Sequence, residues 1–230
     1  MVAETFRSIQ GESTYGGLPC FFVRLAGCNL SCMYCDTEYA RHIQAGEHEH
    51  RTVESIIAGK NPNDRLVCIT GGEPLLQEGS LVLMDELLKR KCTVLLETNG
   101  SMDISTVPKE VIKIMDIKCP GSGMEHQNRY ENLKFLTKQD QLKFVISSKK
   151  DFEFAAMAAD RHELDRTEST LPYQSDDRDD RDDRPQILVS PASPFCYPSD
   201  LAKWLLESGR NWRLQLQLHK FIWPERDRGV

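Results

Sequence analysis

The chain has 230 residues, 40% of them hydrophobic and 28% charged, which is enough to bury a core without disulfide or metal staples. Its formal net charge of -6 argues against a nucleic-acid partner, which leaves a basic footprint. No run approaches the ~20 apolar residues of a membrane span, and the opening MVAETFRSIQGES lacks the basic-then-apolar pattern of a secretory signal. We therefore expect a soluble, cytoplasmic protein with neither a nucleic-acid nor a membrane partner.

In chain order, CFFVRL at Cys20–Leu25 reads as a strand that stops at Gly27, just before a group of cysteines. Thr52–Ala58 reads as a helix capped by Thr52, and Leu66–Thr70 as a second strand running into Gly71–Gly72. Ser80–Lys91 has helical periodicity and a basic end suited to the helix dipole. Strands follow at Thr93–Glu97, Val111–Ile117, Gln141–Ile146 and Gln186–Val189. Helices are expected at Asp151–Leu164 and at Ser199–Leu206, the latter capped by Ser199. Strands alternating with helices imply βαβ units and a parallel sheet, whose ligands sit beyond the carboxyl ends of the strands. Ser175–Arg184 is a threefold Asp-Asp-Arg repeat that offers nothing to a core, so residues 171–185 read as a mobile loop insertion in a single domain spanning 1–230.

Eight cysteines in such a chain are not expected to form a disulfide framework. Cys68 and Cys92 lie in apolar runs and read as inert buried thiols. Cys28, Cys32 and Cys35 form C-x3-C-x2-C, a soft-ligand spacing that suits an iron–sulfur cluster or zinc. A closed zinc site wants four ligands, usually from two paired knuckles. The chain has no second C-x2-C, and His42, His48 and His50, the candidate fourth ligands, sit in a polar stretch. Three cysteines leave one iron of a four-iron cluster free to hold a cofactor.

This spacing, with Tyr34 before the last cysteine, resembles the signature of the radical S-adenosylmethionine (SAM) superfamily. The resemblance implies a [4Fe–4S] cluster on the three cysteines, whose open iron takes the amino and carboxylate groups of SAM. Electron transfer to SAM then yields a 5′-deoxyadenosyl radical. It also implies a cut-down, partial (β/α)6 barrel of parallel strands. Thr70–Pro74 (TGGEP) falls where the superfamily contacts the SAM amino group, with Gly71, Gly72 and Glu73 as candidate contacts. Asn99 in Glu97–Gly100, Lys118 in Asp116–Lys118, and Ser190 before Pro191 end later strands and are further SAM candidates.

The stretch before the cysteines, TFRSIQGES and then GGLP, together with FVRLAGCNLSCMYCDT and LQLHK at Leu216–Lys220, resembles the 7-carboxy-7-deazaguanine synthase family of queuosine and deazapurine biosynthesis. That resemblance implies a carbon–nitrogen lyase. Its substrate would be 6-carboxy-5,6,7,8-tetrahydropterin, its step hydrogen abstraction at C6, and its outcome ring contraction with loss of ammonia and SAM re-formed. It places magnesium on Thr37 and assigns the substrate to Gln10, Gly11, Glu12, Arg24, Thr70 and His219. Of these, Glu12 is the expected carboxylate for the guanidine-like pterin edge. Arg24, inside a strand, needs a partner if buried. His219 is expected near the end of the last strand-like run. A flavodoxin-type electron donor and a homodimer complete the expectation.

Two other readings fit parts of the sequence. A glycyl-radical activating enzyme shares the cysteine spacing but usually carries Gly-Pro-Gly where Gln10–Glu12 stands and His-Asn where Asp36–Thr37 stands. A plain iron–sulfur electron carrier would supply four cysteines per cluster.

Overall fold

In the computed structural model, which describes residues 1–43, 46–165 and 183–230, eight strands form one sheet in simple chain order. The edge strand β1 (Val2–Ile9) runs antiparallel to β2 (Pro19–Leu25). From β2 onward every neighbouring pair is parallel, through β3 (Leu66–Gly71), β4 (Thr93–Thr98), β5 (Ile112–Ile117), β6 (Gln141–Ile146), β7 (Gln186–Pro191) and β8 (Arg213–Leu214). The helices are α1 (Glu38–Arg41), α2 (Val53–Ala58), α3 (Gly79–Lys89), α4 (Lys149–Arg161), α5 (Pro198–Ser208) and α6 (Leu218–Ile222). The β4–β5 link holds no helix, and the β5–β6 link holds only 3-10 turns. This is the cut-down α/β barrel wall expected from the sequence.

The parallel strands fall close to their expected places because strands covered on both faces read as continuous apolar runs. Thr52 caps α2 as expected, its hydroxyl accepting from the Ser55 amide at 3.2 Å. Ser199 does not cap α5. Pro198 begins that helix and Tyr197 holds the cap position, in keeping with proline's preference for the first turn. His219 lies in the short helix α6, not in a strand. β1 and β8 were not anticipated. Residues 171–182, most of the expected loop insertion, lie outside the described residues.

Side chains alternate between the two faces of each strand. Phe21, Val23 and Leu25 join the large core under the helices, while Cys20 and Phe22 join a smaller cluster inside the barrel with Cys68, Leu95 and Ile114. All eight cysteines are free, and Cys20, Cys68, Cys92, Cys119 and Cys196 are buried. Along each inward row the apolar residues give way to polar ones toward the carboxyl end. Cys20 and Phe22 lead to Arg24, Cys68 leads to Thr70, Leu95 to Glu97, and Ile114 to Asp116. The barrel therefore has a dry floor and a polar upper chamber.

The barrel is open between its edge strands, and the β1–β2 loop reaches across the gap. Gln141 in β6 binds Thr14 twice, accepting from its amide at 2.9 Å and donating to its hydroxyl at 2.8 Å. Gln215 donates to the Ser13 carbonyl at 3.1 Å, and the Leu218 amide to the Gly11 carbonyl at 3.0 Å. A short polar loop thus closes the wall that the sheet leaves unfinished.

Candidate active site

The polar chamber is a cavity of about 630 Å³ at the carboxyl ends of the strands. Cys28, Cys32 and Cys35 line it, as do Thr37, Arg24, Gln10 and Glu12. Thr70, Gly71, Gly72, Asn99, Lys118, Ser190 and His219 line it too. Gly11 and Glu73 do not, and each has a structural task instead. A Cβ on Gly11 would stand 2.4 Å from His219 Nδ1, so only glycine lets α6 close over the loop.

The cysteine loop leaves β2 and turns back on itself, with the Gly27 and Cys28 amides donating to the Ala40 and Arg41 carbonyls. The Cys28 sulfur faces two donors, the Leu30 amide at 3.4 Å and the Asn99 side-chain amide at 3.7 Å. Burial pushes the Cys28 and Cys32 thiols up from their ordinary pKa. Among the described residues no three His, Cys, Asp or Glu side chains converge on a single-ion position. The three thiols border a chamber rather than a point. Soft donors around a shared space, with amides aimed at sulfur, fit an iron–sulfur cluster better than one zinc ion.

The Gly-Gly turn after β3 is pressed against that loop. Cβ atoms at Gly71 and Gly72 would lie 2.1 Å from the Leu25 carbonyl oxygen and 2.2 Å from that of Gly27. Two amides, from Gly72 and Glu73, donate to those same carbonyls at 3.0 and 2.8 Å. The backbone here can approach a ligand as no side-chain-bearing residue would allow. Glu73 is fully buried and accepts from the Leu75 amide, the Thr98 hydroxyl and the Asn99 amide. Its carboxylate locks the ends of β3 and β4 together and does not face the cavity.

On the opposite wall, Glu12 accepts from Lys143 Nζ at 2.8 Å and from the Gln217 amide at 2.6 Å. Burial works against its charge, yet the Lys143 ammonium outweighs that and holds the carboxyl below its ordinary range. Glu97 differs. Its partners are neutral, the Thr70 hydroxyl at 2.8 Å and the Gln10 amide at 3.5 Å. Burial, then the nearby Glu12 charge, pushes its pKa up. Arg24 has the partner its position demanded, donating to Glu4 at 2.9 Å. Burial lowers the His219 pKa despite Glu12 and Asp36 nearby. Thr37 stands at the cap position of α1, but its side chain makes no capping bond. Its hydroxyl lies 3.8 Å from the Cys35 sulfur.

Several lining residues escaped the sequence reading. Lys143 sits mid-strand in QLKFVI, where a lysine passes for a solvent-facing residue. Its parity with Gln141 puts it on the inward face, but that it stands against Asp116 and beside Glu12 shows only in the folded chain. Gln217 and Lys220 meet the cavity beside Asp36. Beyond α6, Trp223, Pro224, Arg226, Asp227 and Val230 line its mouth. This segment is fastened by the Gly229 amide to Glu4 and by Arg228 over the Tyr39 ring.

A parallel barrel wall with three thiols after its first parallel strand and a glycine turn packed on them defines a radical SAM protein, and the Radical SAM superfamily model matches residues 23–117. Over 233 residues the chain is 43% identical to the 7-carboxy-7-deazaguanine synthase of Koribacter versatilis, covering 100% of this chain and 99% of that one. It is 35% identical to the synthase of Chlorobaculum tepidum, covering 100% and 96%. The chain belongs to the 7-carboxy-7-deazaguanine synthase family. The crystal structure of QueE from Escherichia coli shares the fold at a TM-score of 0.65 and 22% identity, covering 94% of this chain and 92% of that one. The protein is thus a radical SAM lyase of queuosine biosynthesis, with a [4Fe–4S] cluster and SAM as its cofactors. No helix among the described residues is long and apolar enough to cross a membrane.

Proposed function

We propose that the cavity binds 6-carboxy-5,6,7,8-tetrahydropterin and carries its ring contraction to 7-carboxy-7-deazaguanine, with loss of ammonia. The observation that supports this most is the sharing of one chamber by the three thiols, the Gly-Gly turn, Glu12, Glu97 and Arg24. A chamber of about 630 Å³ suits a small heterocycle lying beside SAM. When bound, the cluster and SAM supply a 5′-deoxyadenosyl radical for hydrogen abstraction at C6.

The chain's own residues bind and orient. Cys28, Cys32 and Cys35 hold the cluster. The Gly71–Gly72 backbone, Asn99, Lys118 and Ser190 face SAM. Glu73 serves that face indirectly by fixing Asn99. Glu12 is already engaged by Lys143 and Gln217, so it presents a fixed carboxylate edge. Glu97 forms no ion pair among the described residues, although Lys143 and Arg24 lie near enough to favour its charge, and it is the carboxylate left for the amidine-like edge of the pterin. Gln10 and Thr70 steady Glu97, while Arg24 and His219 complete the pterin wall. The Thr37 hydroxyl, which makes no capping bond and only a long contact with the Cys35 sulfur, would hold magnesium together with the substrate carboxylate, since this hard ion takes few protein oxygens. Such an ion would neutralise charge on the carboxylated ring.

The segment beyond α6 takes up part of the cavity wall, which supports a small substrate over the protein loop of an activating enzyme. The chemistry needs a one-electron donor. We assign a flavodoxin, which could approach over Met33, 76% exposed between two cluster cysteines. A homodimer is part of the same proposal.

An anaerobic assay of the reconstituted protein with SAM, dithionite, magnesium and the pterin tests the reading. The expected result is 7-carboxy-7-deazaguanine by mass spectrometry, absent without SAM. Release of 5′-deoxyadenosine without that product would overturn the substrate assignment.

A further inference from the structure

Seven side chains on the cavity wall form one unbroken polar chain. Lys118 binds Asp116 at 2.5 Å, and Asp116 faces Lys143 at 3.4 Å. Lys143 binds Glu12 at 2.8 Å, and Glu12 accepts from Gln217 at 2.6 Å. Gln217 reaches Asp36 at 3.1 Å, and Asp36 pairs with Lys220 at 3.2 Å. The chain starts at the SAM candidate Lys118 and ends on the pair of Lys220 with Asp36, the residue before the magnesium candidate Thr37.

Lys143 is the one link between its two halves. Lys118 and Asp116 come from the end of β5, on the cofactor face. Glu12 and Gln217 come from the β1–β2 loop and the segment before α6, on the pterin face. A lysine whose side chain is only 11% exposed is costly to leave without its carboxylates, so Glu12 and Asp116 are held in place around it. The converse also holds: the β1–β2 loop is tied to the barrel at Gly11, Ser13 and Thr14, but the Glu12 carboxylate itself is held by Lys143 and Gln217.

We propose that Lys143 is a positioning residue that holds the pterin face of the cavity in register with the cofactor face, acting through Glu12 and Asp116. This rests on the functional reading above. Its consequence is coupling. The substrate hydrogen must stand next to the 5′ carbon when the radical forms. A shift of about 1 Å in that alignment costs about 100-fold in rate, and a radical that misses its target is quenched as free 5′-deoxyadenosine.

The test uses reconstituted, SAM-loaded enzyme and two variants. Lys143→Gln removes the link. Lys113→Gln removes another buried lysine, one paired with Asp140 at 3.2 Å outside the cavity. Two quantities are read: the Kd for 6-carboxypterin by fluorescence, without reductant, and the 5′-deoxyadenosine released per product during turnover. Lys143→Gln is expected to weaken 6-carboxypterin by about tenfold, as for a lost charge-assisted contact, and to raise 5′-deoxyadenosine per product at least as much. Lys113→Gln is expected to lower thermal stability but leave both quantities within about twofold. If Lys143→Gln does not fold, Lys143→Arg replaces it. The charge is kept there, but the longer, planar guanidinium cannot occupy the point where the ammonium sits between Glu12 and Asp116 without displacing them, and the same shifts are expected. Unchanged Kd and coupling in whichever Lys143 variant folds would overturn the proposal, as would equal shifts in the Lys113 control. A wild-type enzyme that makes no product and binds no 6-carboxypterin would instead sink the functional reading.

Discussion

The Asn99 backbone amide donates to Glu73 Oε2 at 2.7 Å, joining the ends of two neighbouring strands across 26 residues of sequence. Asn99 in turn points its side-chain amide at the Cys28 sulfur. A fully buried carboxylate thereby sets the position of a donor to the cluster site.

Glu73→Gln should therefore destabilise the protein and loosen SAM. Burial pushes the Glu73 pKa up, yet its two backbone partners, Leu75 and Asn99, can only donate. A glutamine nitrogen must face one of them. The cost of one such mismatch is about 1–3 kcal/mol, or about 2–4 °C of Tm per kcal/mol. Calorimetry and SAM titration check it, and an unchanged Tm would refute the assignment.

Glu97→Gln should do the opposite to stability. The Thr70 hydroxyl can turn to accept from the new amide nitrogen, and Gln10 can go on donating to the amide oxygen. The folded-state pKa is raised, so the ionised group disfavours folding. The gain from the variant is largest above that raised pKa and disappears as the pH falls below about 4.3, the unfolded value. Melting curves at neutral and acid pH measure this. Affinity for 6-carboxypterin should fall in the same variant, a trade of stability against function.

Gly72→Ala should abolish SAM binding and impair cluster loading while leaving most of the sheet intact. The new methyl would stand 2.2 Å from the Gly27 oxygen and 2.9 Å from Cys28 Cβ, so the cysteine loop must move. Iron content and visible absorbance report the loading, and circular dichroism reports the fold. Normal iron content and SAM affinity would show that the loop yields more readily than the geometry suggests.

For Thr37→Ala the expected loss is specific to magnesium. The hydroxyl makes no helix-capping bond, so stability should change by less than about 0.5 kcal/mol. Cluster content should match wild type, and product formation should no longer respond to added magnesium. A retained response would remove Thr37 as the ligand.

The sequence exposed the parallel strands and the cysteine loop because both depend on local pattern. Buried parallel strands such as LVCIT read as apolar runs, and a ligand spacing is visible whatever surrounds it. β1 was hidden because VAETFRSI neither alternates nor runs apolar: Val2, Phe6 and Ile9 recur at a helix-like spacing, and the strand is fixed only by its pairing with β2. Glu73 and Glu97 show the limit most clearly. Each lies at or just past the end of a strand and accepts from a threonine hydroxyl of the neighbouring one, yet one is sealed inside and the other faces the cavity. Which carboxylate meets a cation depends on register and on long-range contacts, so Lys143 beside Glu12, 131 residues away, left no local trace.

Closure of the barrel by the β1–β2 loop also orders events on the ribosome. Glu12 and Gln217 meet across 205 residues, so that wall of the cavity cannot assemble until Gln217 has emerged. The cysteines at 28, 32 and 35 emerge early, and the glycine turn that backs them comes only one βα unit later. A nascent chain thus exposes the half-chamber that accepts iron and sulfide well before the half that would enclose it, leaving a time window in which cluster delivery meets an open door.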